Sequence, residues 1–156
     1  MRRTDIPSEL SELAFEFFYW FSRFEFALKE CGYLKTRIAG SNAEPGWAKF
    51  VEQWQKQYES SDEARRLLAK PPMRQVVGPG VQLQWKMVVL SEDLSELDRV
   101  SRLLRVARNN LFHGGKHGSE QWDSPERTES LLRDGRAILN QLANMSDLGP
   151  DYERFY

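Results

Sequence analysis

The chain has 156 residues and a formal net charge of −1 at pH 7, a length typical of one domain. We predict a single domain over residues 1–156, with a core over 8–145 and a short tail over 146–156. Hydrophobic residues make up 40% of the chain and charged residues 29%, which argues against wholesale disorder, and the near-neutral charge excludes a generally basic nucleic-acid coat. The single cysteine, Cys31, excludes a disulfide framework and a cysteine-rich zinc site. No apolar stretch is long enough for a bilayer and no secretory signal is recognisable, so a cytoplasmic location without membrane partners is expected.

The first predicted element is a long aromatic helix that starts at Ser8 and is ended by Gly32. One stripe of apolar residues follows helical spacing, and further aromatic residues widen it beyond one face. The stripe comprises Leu10, Ala14, Phe17, Phe18, Phe21, Phe24 and Leu28, and the widening residues are Phe15, Tyr19, Trp20 and Phe26. A helix that is apolar on several faces is usually buried on several faces, so we expect it at the centre of a bundle or in a dimer contact.

Two shorter helices are predicted next, over residues 47–60 and 62–69, and Pro71-Pro72 ends the second of them. Residues 71–90 combine turn chemistry at Gly78-Pro79-Gly80 with a partly alternating stretch after it. An isolated strand pair is only marginally stable in water, so an ordered loop or a short extra helix is favoured over a strand for this segment.

The next predicted helix is long, with Ser91 as its N-cap and Gly114-Gly115 after its end at His113. A last helix begins around 123–126, where a cap residue precedes Pro125, and continues to about Met145. Gly149-Pro150 is predicted to begin a short tail. The sequence therefore predicts an all-α bundle of four to five helices with antiparallel neighbours.

One side of the long helix carries Arg102, Arg105, Asn109 and His113 at spacings of three or four residues. Two guanidiniums, an amide and an imidazole along one stripe would suit a phosphodiester anion. The alternative is an ordinary solvated arginine face beside Asp98.

Arg108 falls instead on the apolar side of the same helix, beside Leu97 and Leu104, where a charge is costly unless it is paired or used. It is either a structural ion pair, most simply with Glu25, or a preorganised cation in a dry cleft. An ideal helix separates Arg108 and His113 by about 140°, so the two converge only through a distorted last turn or a second subunit. His113 itself either caps free carbonyls or titrates near neutral pH.

The sequence Arg108-Asn109-Asn110-Leu111-Phe112-His113 resembles the R-x4-H signature of the HEPN superfamily (higher eukaryote and prokaryote nucleotide-binding domains). The position of the signature late in a long helix, the polar residue directly after the arginine and the trailing Gly-Gly agree with that family. The aromatic segment from Phe21 to Lys29, followed by Gly32, is similar to small plasmid- and defence-associated HEPN proteins. The order and type of helices agree over about residues 8–145.

The resemblance implies a symmetric dimer of HEPN-like bundles in which two signatures form one composite site that cleaves RNA without a metal or cofactor. His113 would act as general base or acid, Arg108 would neutralise charge on the phosphorane, and Asn109 would orient the histidine or the phosphate. Arg102, Arg105 and Lys116 are candidates for contacts with the RNA backbone. A toxin or antiviral defence effector of this kind would need an antitoxin or another regulator.

Two other functions remain open. Some HEPN proteins lack activity, so the chain is alternatively a silent HEPN-fold dimer that binds RNA, a nucleotide or a protein. From a different class, it is a helical adaptor in which Arg108 serves only as a buried ion pair. A zinc site at His113 and His117 is not expected, because the two glycines between them interrupt the helix that would align the imidazoles.

Overall fold

The structure is a computed structural model, which describes residues 7–112 and 125–154. These residues form six α-helices and one two-stranded antiparallel sheet. A short 3-10 turn at Pro79–Val81 joins the two strands. In chain order the elements are α1 (Ser8–Glu30), α2 (Trp47–Trp54), α3 (Asp62–Ala69), β1 (Met73–Val77), β2 (Leu83–Met87), α4 (Glu96–Phe112), α5 (Pro125–Asn144) and α6 (Gly149–Glu153). The predicted all-α architecture is confirmed in its main lines, but the described residues form six helices rather than four to five, and the sheet was not predicted.

The aromatic helix α1 lies at the centre of the fold, where it contacts α4, α5 and α6. Phe17, Phe21 and Phe24 are fully buried, and the Phe24 ring lies 4.9 Å from the ring of Trp47. Such ring contacts add to the free energy gained by burying apolar area. The opposite side of α1 is not covered by the described residues, because Phe15 is 64% exposed and Tyr19 is 45% exposed.

Helix α5 approaches α1 closely because Gly135 has no side chain. A Cβ atom built on Gly135 would lie 2.6 Å from Cε2 of the buried Phe17 ring. This distance is far inside van der Waals contact, so the glycine sets the separation between the two helices.

Helix α2 ends earlier and helix α4 begins later than predicted, and local hydrogen bonds account for both differences. Helix α2 ends at Trp54 rather than near residue 60, since the Trp54 carbonyl accepts bonds from the amides of Gln57 and Tyr58 in a tight turn that buries Tyr58. Helix α4 begins at Glu96 rather than after Ser91, because Ser95 Oγ accepts a bond from the Asp98 amide at 3.2 Å. Ser95 is therefore the cap.

The prediction of a loop or helix over residues 71–90 is wrong, because a β-hairpin occupies this segment. The hairpin avoids the marginal stability of an isolated pair by attaching to the bundle. Asn110 Nδ2 on α4 donates to the Met73 carbonyl at 2.6 Å, and Val88 and Leu90 pack against the core after β2. Tertiary contacts thus stabilise a strand pair that local sequence disfavours.

The predicted short tail contains a helix that the sequence analysis did not predict, because residues 149–153 form α6. Tyr152 is 2% exposed, and its hydroxyl lies 2.6 Å from Asn140 Oδ1. The buried Arg23 guanidinium donates to the carbonyls of Asp151, Tyr152 and Arg154. A cation at carbonyls near a helix C-terminus favours such a helix, which explains why this short segment is ordered.

Replacement of Gly135 by alanine is expected to lower the free energy of unfolding by about 1–2 kcal/mol, because overpacking against Phe17 outweighs the better helix propensity of alanine. Urea denaturation of the variant and of the unchanged chain measures the difference. The matched control is the same substitution in a Phe17→Leu background, where the smaller side chain should remove most of the cost. An equal cost in both backgrounds would contradict the proposed steric cause.

Candidate functional site

Arg108 is held on the inner side of α4 by α1. Its Nη2 donates to Glu25 Oε1 at 3.1 Å, and its guanidinium carbon lies 5.1 Å from the centre of the Phe21 ring. The Arg108 side chain keeps 30% of its exposure, while Nε is buried and has no hydrogen-bond partner among the described residues. The ion pair with Glu25 that the sequence suggested is therefore present, and part of the guanidinium still faces solvent.

The carboxylate of Glu25 joins three helices. Its Oε1 accepts from Arg108 Nη2 and also from the indole Nε1 of Trp47 at 3.0 Å. A carboxylate that accepts two such bonds in a half-buried position fixes both donors in place. Glu25 thus orients Arg108 from α4 and Trp47 from the start of α2 around one oxygen.

Arg105 lies one turn before Arg108 on α4, and its guanidinium packs against the ring of Trp47. Its guanidinium carbon is 5.8 Å from the Trp47 ring, and its Nε donates to the Ser101 carbonyl at 3.3 Å. Burial lowers the pKa of the Arg105 guanidinium, and the nearby charge of Arg102 lowers this pKa further. A guanidinium stays charged at neutral pH even so, and the cost of its desolvation would fall if an anion bound beside it.

Arg102 is engaged at the surface. Its Nε and Nη2 donate to the two carboxylate oxygens of Asp98 at 2.8 and 3.2 Å, and this bidentate bond raises the pKa of the guanidinium. The predicted arginine face beside Asp98 is confirmed for this residue. Arg102 would therefore have to leave Asp98, or share it, in order to contact a phosphate.

The remaining predicted site residues lie apart from this cluster or outside the described residues. Asn109 is exposed on α4, and its side chain makes no hydrogen bond to the described part of the chain. His113, the candidate proton-transfer group, and Lys116 fall in the segment 113–124, which lies outside the described residues. The structure therefore brings Arg105 and Arg108 together around Trp47 and Glu25, and leaves the predicted roles of Asn109, His113 and Lys116 as predictions.

An apolar groove lies beside the end of α4. It has a volume of about 380 Å³ and is lined by Ala14, Phe15, Phe18, Leu111 and Phe112. The rings of Phe18 and Phe112 lie 4.9 Å apart, and Phe112 is 57% exposed. The groove therefore ends at the residue that directly precedes His113.

Sequence reasoning missed the roles of Trp47, Asn110 and Phe112. Two adjacent apolar residues on a helix point about 100° apart, so Leu111 and Phe112 cannot both reach the same core. That spacing was the available signal for an exposed Phe112. The contacts of Trp47 and Asn110 join residues far apart in sequence, and no local pattern reveals them.

No group of three or more histidine, cysteine, aspartate or glutamate side chains suited to a metal ion occurs in residues 7–112 and 125–154. None of the helices in these ranges is both long enough and apolar enough to cross a membrane. Comparison of the chain with models of known protein families, with curated protein sequences and with solved structures gave no match.

Replacement of Arg108 by alanine is expected to lower the free energy of unfolding by about 1–3 kcal/mol, because it leaves the half-buried Glu25 carboxylate without its cation. Thermal or chemical denaturation measures the effect. Lys35→Ala is the control, since both side chains of its ion pair with Glu44 are more than half exposed and such a pair contributes only about 0.2–1 kcal/mol. An equal loss of stability in the two variants would contradict the role of the Arg108–Glu25 ion pair.

Proposed function

We propose that the chain is a metal-independent endoribonuclease of the HEPN type, which acts in the cytoplasm as a symmetric dimer of HEPN-like helical bundles. The observation that carries the proposal is the state of Arg108. Its guanidinium is fixed by Glu25 and Phe21, yet it remains 30% exposed near the end of α4, five residues before His113. A cation that is oriented before a substrate binds needs little reorganisation to stabilise new negative charge.

The chemistry needs no metal, because RNA contains its own nucleophile. The 2′-hydroxyl oxygen attacks the adjacent phosphorus and loses its proton to a base, while the bond to the 5′-oxygen breaks and that oxygen gains a proton. The products are a 2′,3′-cyclic phosphate and a 5′-hydroxyl. In this proposal His113 transfers a proton, Arg108 neutralises charge on the phosphorane oxygens, and Asn109 orients the histidine or the phosphate. Arg102, Arg105 and Lys116 contact the RNA backbone.

A dimer is supported by the position of the apolar groove. Phe15, Phe18 and Phe112 leave aromatic surface exposed next to the signature, and exposed apolar patches of this kind mark interaction sites. A second copy that covers this groove would bring the two ends of α4 close to each other. In this arrangement a second subunit would bring Arg108 and His113 into one site, which is one of the two ways in which they can converge.

A second candidate function is favoured by the ion pair itself. Arg108 is already paired with Glu25, which suits a purely structural role for this arginine. In that case the chain is a helical adaptor without nuclease activity. A HEPN-fold dimer without activity that binds RNA, a nucleotide or a protein is a further alternative. For the active form we propose a role as a toxin or antiviral defence effector under the control of an antitoxin or another regulatory protein.

The first test is cleavage of a labelled single-stranded RNA by the purified full chain in EDTA. His113→Ala is expected to slow cleavage at least about a hundredfold, as loss of a general acid or base does. The chain has two histidines, so His117→Ala is the matched control and should retain activity. An RNA with 2′-O-methyl groups should not be cleaved. Absence of cleavage by the unchanged chain, with RNA still bound, would favour the inactive form.

The second test concerns the assembly. Phe15→Glu places a charge in the groove and is expected to convert the dimer to a monomer and to abolish RNA cleavage, because the site is composite. Light scattering coupled to size-exclusion chromatography gives the mass, and circular dichroism checks the fold. Ile38→Glu is the control, since Ile38 is 74% exposed and lies outside the groove. An unchanged chain that is monomeric at all concentrations would contradict the composite site.

A further inference from the structure

One face of the β-hairpin carries two cations directly opposite each other. Arg74 on β1 pairs with Lys86 on β2 in the register of the sheet, and the side chains of such a pair lie close together on one face. Both residues are exposed, and neither forms an ion pair or a side-chain hydrogen bond with the described residues. The hairpin thus presents two positive charges side by side.

The sequence around these cations contains no acidic residue. Arg74 and Lys86 are the only charged residues in 73–87, and no aspartate or glutamate occurs between Glu63 and Glu92. Like charges in opposed positions destabilise a sheet. The pair therefore lowers the stability of the chain without ligand, and an anion bound beside the two side chains would remove that cost.

The two faces of the hairpin differ in chemistry. Successive side chains of a strand point to opposite faces, so Arg74 and Lys86 share their face with Gln84, which is also exposed. Val76 is the one apolar residue of the paired strands on this face, and it is partly buried. Leu83, which is 64% exposed, points to the other face. The cationic face therefore offers a ligand charge and an amide, and little apolar surface.

The hairpin is attached to the helix that carries Arg108. Asn110 Nδ2 donates to the Met73 carbonyl at 2.6 Å, and Arg74 follows Met73 directly. An ideal helix directs Arg108 and Asn110 about 160° apart, so the hairpin and the Glu25 cluster lie on different sides of α4. A ligand that contacts both must be long and flexible enough to reach around the helix, as a single-stranded nucleic acid is.

We propose that the face of the hairpin with Arg74 and Lys86 binds the phosphate backbone of RNA, so that one single strand contacts α4 from both sides. This inference rests on the proposed function, in which RNA is the substrate. Arginine and lysine contacts with phosphate oxygens position a nucleic acid without reading its bases. The hairpin therefore adds affinity for RNA and no sequence preference.

The chemistry of the face favours RNA over two other anionic partners. An acidic segment of a protein would find little apolar surface there to bury against. Binding to anionic lipid is typical of clusters of about four to eight basic residues, and the hairpin has two.

The test measures binding of a labelled single-stranded 2′-O-methyl RNA, which the chain cannot cleave, by fluorescence anisotropy over a range of salt concentrations. In the double variant Arg74→Gln and Lys86→Gln, we expect the slope of log K against log salt to become shallower by about 1.4, because each contact with a single strand contributes about 0.7. At about 0.1 M salt this corresponds to binding that is weaker by about tenfold or more.

The control is the double variant Lys29→Gln and Lys56→Gln. It makes the same change in net charge on α1 and just after α2, away from the hairpin, and it should keep the salt slope. Thermal denaturation without RNA gives a second readout. Removal of the like-charge pair should leave the melting temperature unchanged or raise it, so weaker binding by the hairpin variant would not reflect unfolding.

The proposal is overturned if the unchanged chain does not bind this RNA, if the hairpin variant keeps the full salt slope, or if the control variant loses as much of it. A hairpin variant that melts at a lower temperature also contradicts it, because the pair would then not be costly. Preference of the hairpin for phosphatidylserine vesicles or for polyglutamate over RNA would overturn it in favour of those partners.

The same experiments separate this inference from the proposed function. Binding that depends on the hairpin, with no cleavage of ordinary RNA, would refute the nuclease and support the hairpin site. Cleavage of ordinary RNA with an unchanged salt slope in the hairpin variant would support the nuclease and refute the hairpin site.

Discussion

Burial of the aromatic helix α1 is the constraint on which the rest of the fold depends. Phe17, Phe21 and Phe24 cannot be covered from one direction, so α5 and α6 pack along parts of α1 while α2 and α4 cover others. Gly135 permits the close approach of α5 to α1. The burial of such large rings supplies the main free energy that holds the helices together.

The same helix determines the character of the candidate site. One of its acidic residues, Glu25, lies where α2 and α4 meet α1, and its carboxylate fixes Trp47 and Arg108. Its uncovered aromatic residues, Phe15 and Phe18, form the groove that ends at Phe112. A charged cluster and an apolar surface thus arise side by side from one stretch of sequence. Both are needed if a phosphodiester is to be bound where two subunits meet.

The sequence predicted helix bounds well where neighbouring residues alone determine the start and the end of the helix. The range Asp62–Ala69 was predicted to the residue, since the Ser61 cap and the following prolines mark both ends. The Arg108 partner followed from the cost of a charge on an apolar face. The hairpin and α6 were missed, because Asn110 and Arg23 stabilise them from distant parts of the chain. The part of the site that depends on His113 lies outside the described residues, and its role remains a prediction.

The bond from Asn110 to Met73 ties the segment between Arg108 and His113 to the hairpin. The four positions between Arg108 and His113 are not interchangeable spacers, because one of them anchors a strand. A lineage that loses the hairpin releases Asn110 from selection, whereas a lineage that keeps the hairpin requires a donor at this position. The presence of this amide and of the hairpin should therefore covary among descendants of the chain.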